Sequence, residues 1–413
     1  MSGVQAMESK QVGNSERRQD GVSGWVAAID WRQWRSVIAL LLVMVVLAVL
    51  TESNFISSRN LTNLTRQVAI NGVLAVGMTF VILIGGIDLS AGSVVALAGV
   101  VAGLLQVDAG LAQWEGSSAV AATVLSVVAA TVVGALCGIF NGWMITRHRI
   151  APFIITLGMM VIARGLALIL AKGAAIAPLS DHFNEFGQGY ISNDWSTALV
   201  LVAFAYAAFS RLRGKWASGK AWAGLLPAVA LTLAALWAVA PRPQWWLDRE
   251  WDPGYRGIPY PALIFAFFGL AGTILLNRMR FGRFVLAVGG NPEAAWLAGV
   301  PIRKITFAIY AVMGALAGLS GAILSARLNG ALPTSGELFE LDAIAAVVIG
   351  GTSLLGGVGS VRGSIIGAFF IGAMNNGMSL MDVPEFYQKV IKGVIIILAV
   401  WFDTRQSTGR RKV

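Results

Sequence analysis

Polar side chains stand within or beside long apolar runs of this sequence, where they could bind a polar molecule or join neighbouring helices. Four of them are ionisable: Asp88, Arg164, Asp342 and Lys392. Four more are amides: Asn71, Asn141, Asn375 and Asn376. A charge in hydrocarbon is costly unless it faces protein or water, whereas an amide donates and accepts hydrogen bonds without a net charge. The sequence offers no grouping of nucleophile, acid and base, so the chemistry indicated is hydrogen bonding and not bond making.

The residue types that bind metals and nucleotides are scarce or badly placed. Cys137 is the only cysteine and lies in an apolar run, so neither an intramolecular disulfide nor a cysteine-based metal site can form. His148 and His182 fall in separate loops without a zinc-type cluster around them, and no metal site is predicted. The segment 214–220 fits the start of a phosphate-binding loop, but Ala221 follows and has no hydroxyl for magnesium. Nucleotide binding by this chain is therefore not predicted.

A charged segment, 278–304, separates two apolar runs and contains signals for a short helix. Asn291 is a favourable N-cap, Pro292 suits the first helical position, and Glu293 places a negative charge where the helix dipole favours it. Gly299 can end the helix. The predicted helix could lie on a membrane surface or be held by a soluble partner.

Hydrophobic residues dominate the composition. The 413 residues are 56% hydrophobic and 13% charged, with a mean hydropathy of +0.72. Soluble domains carry about 25% charged residues, so about half of the usual polar surface is missing. A span needs about 20 mainly apolar residues, and this length predicts an all-α, polytopic membrane bundle with about 12 spans. The candidate spans are 36–50, 67–85, 89–107, 118–141, 152–171, 196–210, 221–240, 259–277, 305–326, 339–352, 363–380 and 388–402. The first, sixth and tenth are short, and these are expected to be tilted, re-entrant or miscounted.

Basic residues indicate the orientation of these spans. With the N-terminus inside, the inner segments hold about three times as many Lys and Arg residues as the outer segments. This places a polar tail, 1–35, and a basic tail, 404–413, in the cytoplasm on either side of a membrane domain, 36–403. The segment 278–304 falls on the cytoplasmic side as well. The net charge of +10 thus belongs to loops between spans, and no nucleic acid partner is predicted.

The order Glu293-Ala294-Ala295 followed by Gly299 resembles the coupling motif of ABC-importer permeases, in which a short cytoplasmic helix sits in a cleft of the ATP-hydrolysing subunit. Further stretches resemble the ribose and xylose branch of that family. These are Phe281-Gly282-Arg283, Ala287 to Asn291, Gly85 to Ser93, Leu341 to Ser353 and Asn375 to Gly377. The resemblance runs from about 61 to 403, interrupted by an insert with two additional apolar runs at about 173–258. Xylose-type permeases usually have this insert and ribose-type permeases usually lack it.

The resemblance implies a permease subunit of a bacterial importer in the inner membrane, with no enzymatic activity of its own. The implied partners are a second copy of this chain, an ABC ATPase subunit, a periplasmic sugar-binding protein, the sugar and membrane lipid. ATP and magnesium would bind to the ATPase, and this chain would bind no cofactor. The residues expected to couple to the ATPase are Gly282, Arg283, Asn291, Glu293, Ala294, Ala295 and Gly299. The implied cargo is a pentose, with D-xylose preferred.

In such a permease, amides suit a sugar path better than fixed charges because sugars bind through hydroxyls. The expected path residues are Asn71, Asp88, Asn141, Asn375 and Asn376. For Asp88, capping of the third span is the favoured alternative. Arg164 and Lys392 are expected to pair with acids or to reach toward an interface.

Two Gly-interrupted segments, Ile84 to Val94 and Ile349 to Val361, resemble each other. In transporters built from repeats, paired segments of this kind indicate the substrate route. Alternatively, the glycines allow close helix packing, which is the prediction for the Gly-x-x-x-Gly pairs that begin at Gly99, Gly134 and Gly314. Both interpretations remain open for the two interrupted segments.

Two other transport functions also remain open. An importer of the same class could carry ribose, galactose or a nucleoside, because cargo selection is expected to rest largely on the soluble binding protein. A secondary transporter could instead couple a sugar to protons through Asp88 or Asp342, although both lie near the ends of predicted spans.

Overall fold

The structure, a computed structural model, describes residues 31–192, 195–196 and 257–410. In these residues the chain forms thirteen α-helices, which confirms the all-α prediction. In chain order they are α1 (Trp31–Leu50), α2 (Ser58–Leu83), α3 (Ala91–Val107), α4 (Ser117–His148), α5 (Pro152–Leu170), α6 (Asp181–Gln188), α7 (Tyr260–Arg278), α8 (Arg280–Gly290), α9 (Pro292–Leu297), α10 (Ile302–Leu328), α11 (Phe339–Ile349), α12 (Val361–Leu380) and α13 (Glu385–Arg410). Helices α2, α4, α5, α7 and α10 are long and apolar enough to cross a membrane.

Ten of the twelve predicted spans coincide with helices of the structure. The other two, 196–210 and 221–240, lie outside the described residues apart from Ser196. The predicted two-span insert therefore stays a prediction. The segment 214–220 and the part of the polar tail before residue 31 also lie outside the described residues.

The tenth predicted span, 339–352, forms a helix of only 11 residues, α11. At 1.5 Å per residue α11 reaches about 16 Å, roughly half of the hydrocarbon core of a bilayer. The chain leaves the helix at Gly350 and Gly351, where Gly351 has a φ of 87°, a conformation that residues with a Cβ rarely adopt. As its short length suggests, this run does not cross as one straight helix.

Both Gly-interrupted segments are breaks between helices, as predicted. The first, 84–90, joins α2 to α3, and Gly85 in it has a φ of 76°. The second, 350–360, joins α11 to α12.

Helix α2 lies at the centre of the bundle. In its most apolar 18-residue stretch 89% of the residues are buried, against 22% for α4 and for α5. Helices α4 and α5 therefore present apolar side chains outward, toward lipid or another protein, while α2 supplies core contacts.

Helices α4 and α10 cross through facing glycines. A methyl group built on Gly134 would overlap the carbonyl oxygen of Gly314, and one built on Gly314 would overlap that of Gly134. Gly138 and Gly318 lie in the same crossing, each against the backbone of the other helix. Because glycine alone permits two helix backbones to come so close, the predicted packing role of these Gly-x-x-x-Gly pairs is confirmed.

Candidate functional site

The short helix predicted in the charged segment is present as α9. The Oδ1 atom of Asn291 accepts a hydrogen bond from the Ala294 amide nitrogen at 3.0 Å, so Asn291 is the N-cap. Pro292 occupies the first turn beside Glu293. Gly299 follows the helix with a φ of 78°, which explains why a glycine ends it. These local features confirm the prediction made from residue order.

Helix α9 presents most of its surface outward. Ala295 is buried and anchors the helix, whereas Glu293 and Ala294 are exposed. Trp296 and Leu297 are 69% and 74% exposed. A large aromatic and a leucine, side by side on a polar connection, form a small apolar patch that a partner could cover.

Exposed basic side chains stand on both sides of this patch along the chain. The five cations of the segment 278–304 are all exposed: Arg278, Arg280, Arg283, Arg303 and Lys304. Glu293 is the acid of the same segment. A partner that docks here would need acidic groups opposite the cations and a basic group opposite Glu293.

Helix α8, which precedes α9, was not predicted within the charged segment 278–304. Its register shows the signal that could have found it, because Gly282, Val285 and Val288 are buried at helical spacing. Gly282 fits against the backbone of Leu276 at the end of α7, where a methyl group would overlap the Leu276 carbonyl oxygen. The neighbouring Arg283 is exposed. Gly282 therefore allows the chain to fold back from α7, while Arg283 belongs to the basic surface.

The C-terminal end of α8 meets both Gly-interrupted segments. The Gly357 amide nitrogen donates a hydrogen bond to the Leu83 carbonyl oxygen at 2.9 Å. A methyl group on Gly289 would overlap that same oxygen and lie 2.5 Å from the Gly357 nitrogen. We call Leu83, Gly289 and Gly357 the glycine joint. Three segments that are distant in sequence thus touch through backbone atoms alone.

A first polar cluster, Asp88, Ser90 and Asn141, lies just beyond this joint. Asp88 Oδ1 accepts hydrogen bonds from the Ser90 amide nitrogen at 2.8 Å and from Ser90 Oγ at 2.6 Å. Asn141 Nδ2 of α4 donates to Ser90 Oγ at 3.1 Å. The predicted cap of α3 differs in detail, because Ser90 is the residue at the N-cap and Asp88 folds the turn before it. Within the described residues, Asn141 Oδ1 has no hydrogen-bond partner.

A second polar cluster consists of Asn71, Asp342, Asn375 and Lys392, from four different helices. Asp342 Oδ2 accepts hydrogen bonds from Lys392 Nζ and Asn375 Nδ2, each at 3.0 Å, and from Asn71 Nδ2 at 3.5 Å. Lys392 and Asp342 form an ion pair, as expected for Lys392. Among the described residues, Oδ1 of Asn71 and Oδ1 of Asn375 accept no hydrogen bond. Nothing in the order of these residues along the chain indicates that they converge.

Asn376 faces a different environment from its neighbour Asn375. Its amide forms a reciprocal pair with Asn60, with both Nδ2 to Oδ1 distances at 2.8 Å. Asn60 Nδ2 also donates to the Phe55 carbonyl oxygen at 2.8 Å. The Asn60 and Asn376 amides thus join α2 to α12.

Arg164 was expected to pair with an acid or to reach toward an interface. In the structure it donates hydrogen bonds to backbone carbonyl groups. Its Nη1 donates to the carbonyl oxygens of Pro333 and Ser335, at 2.7 and 2.9 Å. Arg164 thereby holds the segment before α11 against α5. These carbonyl oxygens stabilise the positive charge of the guanidinium group, which explains how an arginine can be accommodated in an apolar helix.

Apolar helices long enough to span a bilayer, with hydrogen-bonding groups buried between them, are the features of a polytopic membrane protein with a polar interior. Comparison with protein families makes this specific. The family described as "Branched-chain amino acid transport system / permease component" matches residues 60–400. The chain belongs to this family of ABC-importer permeases, as predicted.

Sugar permeases are similar to this chain along most of its length. The xylose transport system permease protein of Escherichia coli (strain K12) is 37% identical over 402 residues, which cover 95% of this chain and 95% of that protein. The xylose transport system permease protein of Haemophilus influenzae is 40% identical over 381 residues, with 91% and 97% covered. The ribose import permease protein of Bacillus subtilis (strain 168) is 36% identical over 377 residues, with 89% and 91% covered. No solved structure matches the chain.

The family membership establishes the general role. The chain is a multi-pass membrane protein and the permease subunit of a sugar ABC importer, which is a transport component and not an enzyme. A permease of this class implies an ATPase and a binding protein as partners. Members of the family typically bind no cofactor.

Proposed function

We propose that this permease imports a pentose across the bacterial inner membrane, and that D-xylose is its cargo. The observation that carries this proposal is the 37% and 40% identity to two xylose permeases, one of them aligned over 95% of both chains. Ribose is the second candidate, because a ribose permease follows at 36% identity. Galactose or a nucleoside would use the same class of importer.

The functional unit we propose is a dimer of this chain with two nucleotide-binding domains and a periplasmic sugar-binding protein. ATP and magnesium would bind to the ATPase and not to this chain. Helix α9 is the proposed ATPase contact, since Glu293, Trp296 and Leu297 are exposed on it. The exposed cations of 278–304 support a cytoplasmic position for this surface and for both chain termini.

The proposed sugar path uses buried acceptors that the protein leaves without donors. Oδ1 atoms of Asn71, Asn141 and Asn375 have no hydrogen-bond partner in the described part of the chain, and sugar hydroxyls could donate to them. Asp88 belongs to the path through the same cluster as Asn141. Asn376 also stands in the path proposal, but its full pairing with Asn60 supports a structural role for it.

Uptake of labelled xylose into liposomes tests the proposed function. The chain would be reconstituted alone, with its ATPase, and with both ATPase and binding protein, with ATP on the ATPase side. We expect uptake only from the complete system with ATP, and competition with unlabelled ribose measures the second candidate. Uptake by the chain alone, driven by a proton gradient, would instead establish a secondary transporter and direct attention to Asp88 and Asp342.

Alanine at two neighbouring positions of α12 compares Asn375, which has an unused acceptor, with the fully paired Asn376; Asn375→Ala also removes a donor to Asp342, so unfolding is measured beside uptake. We expect Asn375→Ala to lower uptake about fivefold, because a hydrogen bond of about 1 kcal/mol to the sugar is lost. Asn376→Ala should instead lower the free energy of unfolding by about 1 to 3 kcal/mol, because the buried amide of Asn60 loses its partner. Initial uptake rates and thermal unfolding of both variants check this. Equal uptake by Asn375→Ala and the unchanged protein would contradict the path role.

A further inference from the structure

The glycine joint lies between the proposed ATPase contact and the two interrupted segments. We propose that this joint, Leu83 with Gly289 and Gly357, is a rigid connection that carries the movement of α9 to both Gly-interrupted segments, with Gly289 as its positioning residue. The proposal rests on the proposed function in one respect, since it takes α9 as the helix that the ATPase moves.

The first link runs from α9 to the joint without a flexible linker. Asn291 is both the C-cap of α8 and the N-cap of α9. Its amide nitrogen donates to the Ala287 carbonyl oxygen at 3.1 Å, while its side chain holds the Ala294 amide nitrogen. Helices α8 and α9 are therefore two arms of one bent unit, and displacement of α9 displaces Gly289.

The second link is the joint itself. Gly289 touches the Leu83 carbonyl oxygen, and the Gly357 amide nitrogen donates to the same oxygen at 2.9 Å. Gly356 lies in the same contact, since a methyl group there would be 3.0 Å from the Leu83 oxygen and 3.1 Å from that of Gly289. Backbone contacts contain no rotatable side chain that could absorb a shift, so the three segments move together.

The third link leads from the joint into the bundle. After Leu83 the chain runs through Gly86, which packs against the side chain of Tyr310 in α10. A methyl group built on Gly86 would lie 2.5 Å from the Tyr310 hydroxyl oxygen. It then reaches the first polar cluster at Asp88. After Gly357 the chain enters α12, which carries Asn375 of the second cluster. The first polar cluster is thus connected to the joint by a short stretch of backbone, and the second is connected to it through the length of helix α12.

A packing role alone would require only that helices fit together at this place. Two adjacent glycines of α8 distinguish that role from transmission. A methyl group on Gly289 would overlap Leu83, whereas a methyl group on Gly290 would have no described atom within 4 Å. Gly289→Ala and Gly290→Ala are therefore matched variants: both residues lie against Gly357, but only the methyl group added at Gly289 enters the joint.

The test uses the complete importer in liposomes and measures three quantities for each variant: bound ATPase, ATP hydrolysis without sugar, and xylose transported per ATP hydrolysed. We expect Gly289→Ala to lower the transport ratio at least tenfold, with bound ATPase and basal hydrolysis within twofold of the unchanged protein. Gly290→Ala should stay within twofold in all three. A normal ratio in Gly289→Ala, or an equal loss in Gly290→Ala, would overturn the proposal.

Loss of bound ATPase in Gly289→Ala would also overturn it, because the residue would then hold the structure and not transmit movement. That outcome leaves the assignment of α9 intact, which rests on variants at Glu293. The two proposals can therefore fail separately.

A cross-link across the joint tests its rigidity without the added methyl group. With Cys137 replaced by serine, cysteines at the exposed positions Gly290 and Val358 would be joined by a short bifunctional maleimide. A rigid joint stays closed through the transport cycle, so the cross-linked importer should retain at least half of its uptake. A block of uptake would show that the segments separate during transport, and failure to cross-link would contradict the contact; either result overturns the rigid joint.

Discussion

Replacement of Glu293 with lysine is expected to lower ATP-driven xylose uptake about 100-fold, to background, with the permease still in the membrane. Glu293 is exposed in the first turn of α9. Its negative charge interacts favourably with the helix dipole there and stabilises the helix by up to about 1 kcal/mol. Lysine would reverse that contribution and place a sixth exposed cation on the ATPase contact. A mismatched charge in an interface costs several kcal/mol, enough for the expected loss. Uptake and the amount of ATPase that copurifies with the permease are the measurements.

Two companion variants sharpen this test. Gly299→Pro should have the same effect, because proline fixes φ near −65° while Gly299 requires 78°. Glu115→Lys is the matched control, since Glu115 is also exposed but lies between α3 and α4, away from α9. It should transport normally. Normal uptake by both Glu293→Lys and Gly299→Pro would remove the coupling assignment from α9.

Removal of the Lys392 charge is expected to lower the free energy of unfolding by about 3 kcal/mol, the largest loss of stability that we expect from one side chain. The Asp342 side chain is 3% exposed and Lys392 is 20% exposed, so Lys392→Met leaves a buried carboxylate without its cation. The amides of Asn71 and Asn375 still donate hydrogen bonds to this carboxylate, but they carry no charge and compensate only part of the lost interaction. Thermal unfolding in detergent should show a midpoint lower by several degrees.

Two further variants identify the cause of that loss. The double variant Lys392→Met with Asp342→Asn should be more stable than Lys392→Met alone, because the uncompensated charge is removed as well. Lys389→Met is the control on the same helix. Its partner Glu337 is 59% exposed, and an ion pair in contact with solvent contributes little to stability. If the double variant is the least stable of the three, desolvated charge is not the reason for the loss.

Short-range features of this protein could be predicted from residue order. Helix α9 follows from Asn291, Pro292 and Glu293 because capping and the helix dipole act within one turn. The breaks at Gly85 and Gly351 follow from the backbone freedom of glycine, which is also local. Most span positions follow from hydropathy, since a bilayer requires long apolar helices wherever the chain crosses it.

Convergence of distant residues could not be predicted in this way. The Asp342 ion pair with Lys392, the pairing of Asn376 with Asn60 and the contact of Gly289 with Leu83 each depend on how helices pack side by side. Hydropathy and capping are properties of a single segment and carry no information about which other segments pack against it. The amino-acid sequence thus determines where most of the helices begin and end, that the segment 278–304 contains a short capped helix, and which family the permease belongs to. Tertiary packing decides which buried amides keep an unused acceptor and which glycine joins α8 to the interrupted segments, because those contacts exist only once the helices have met.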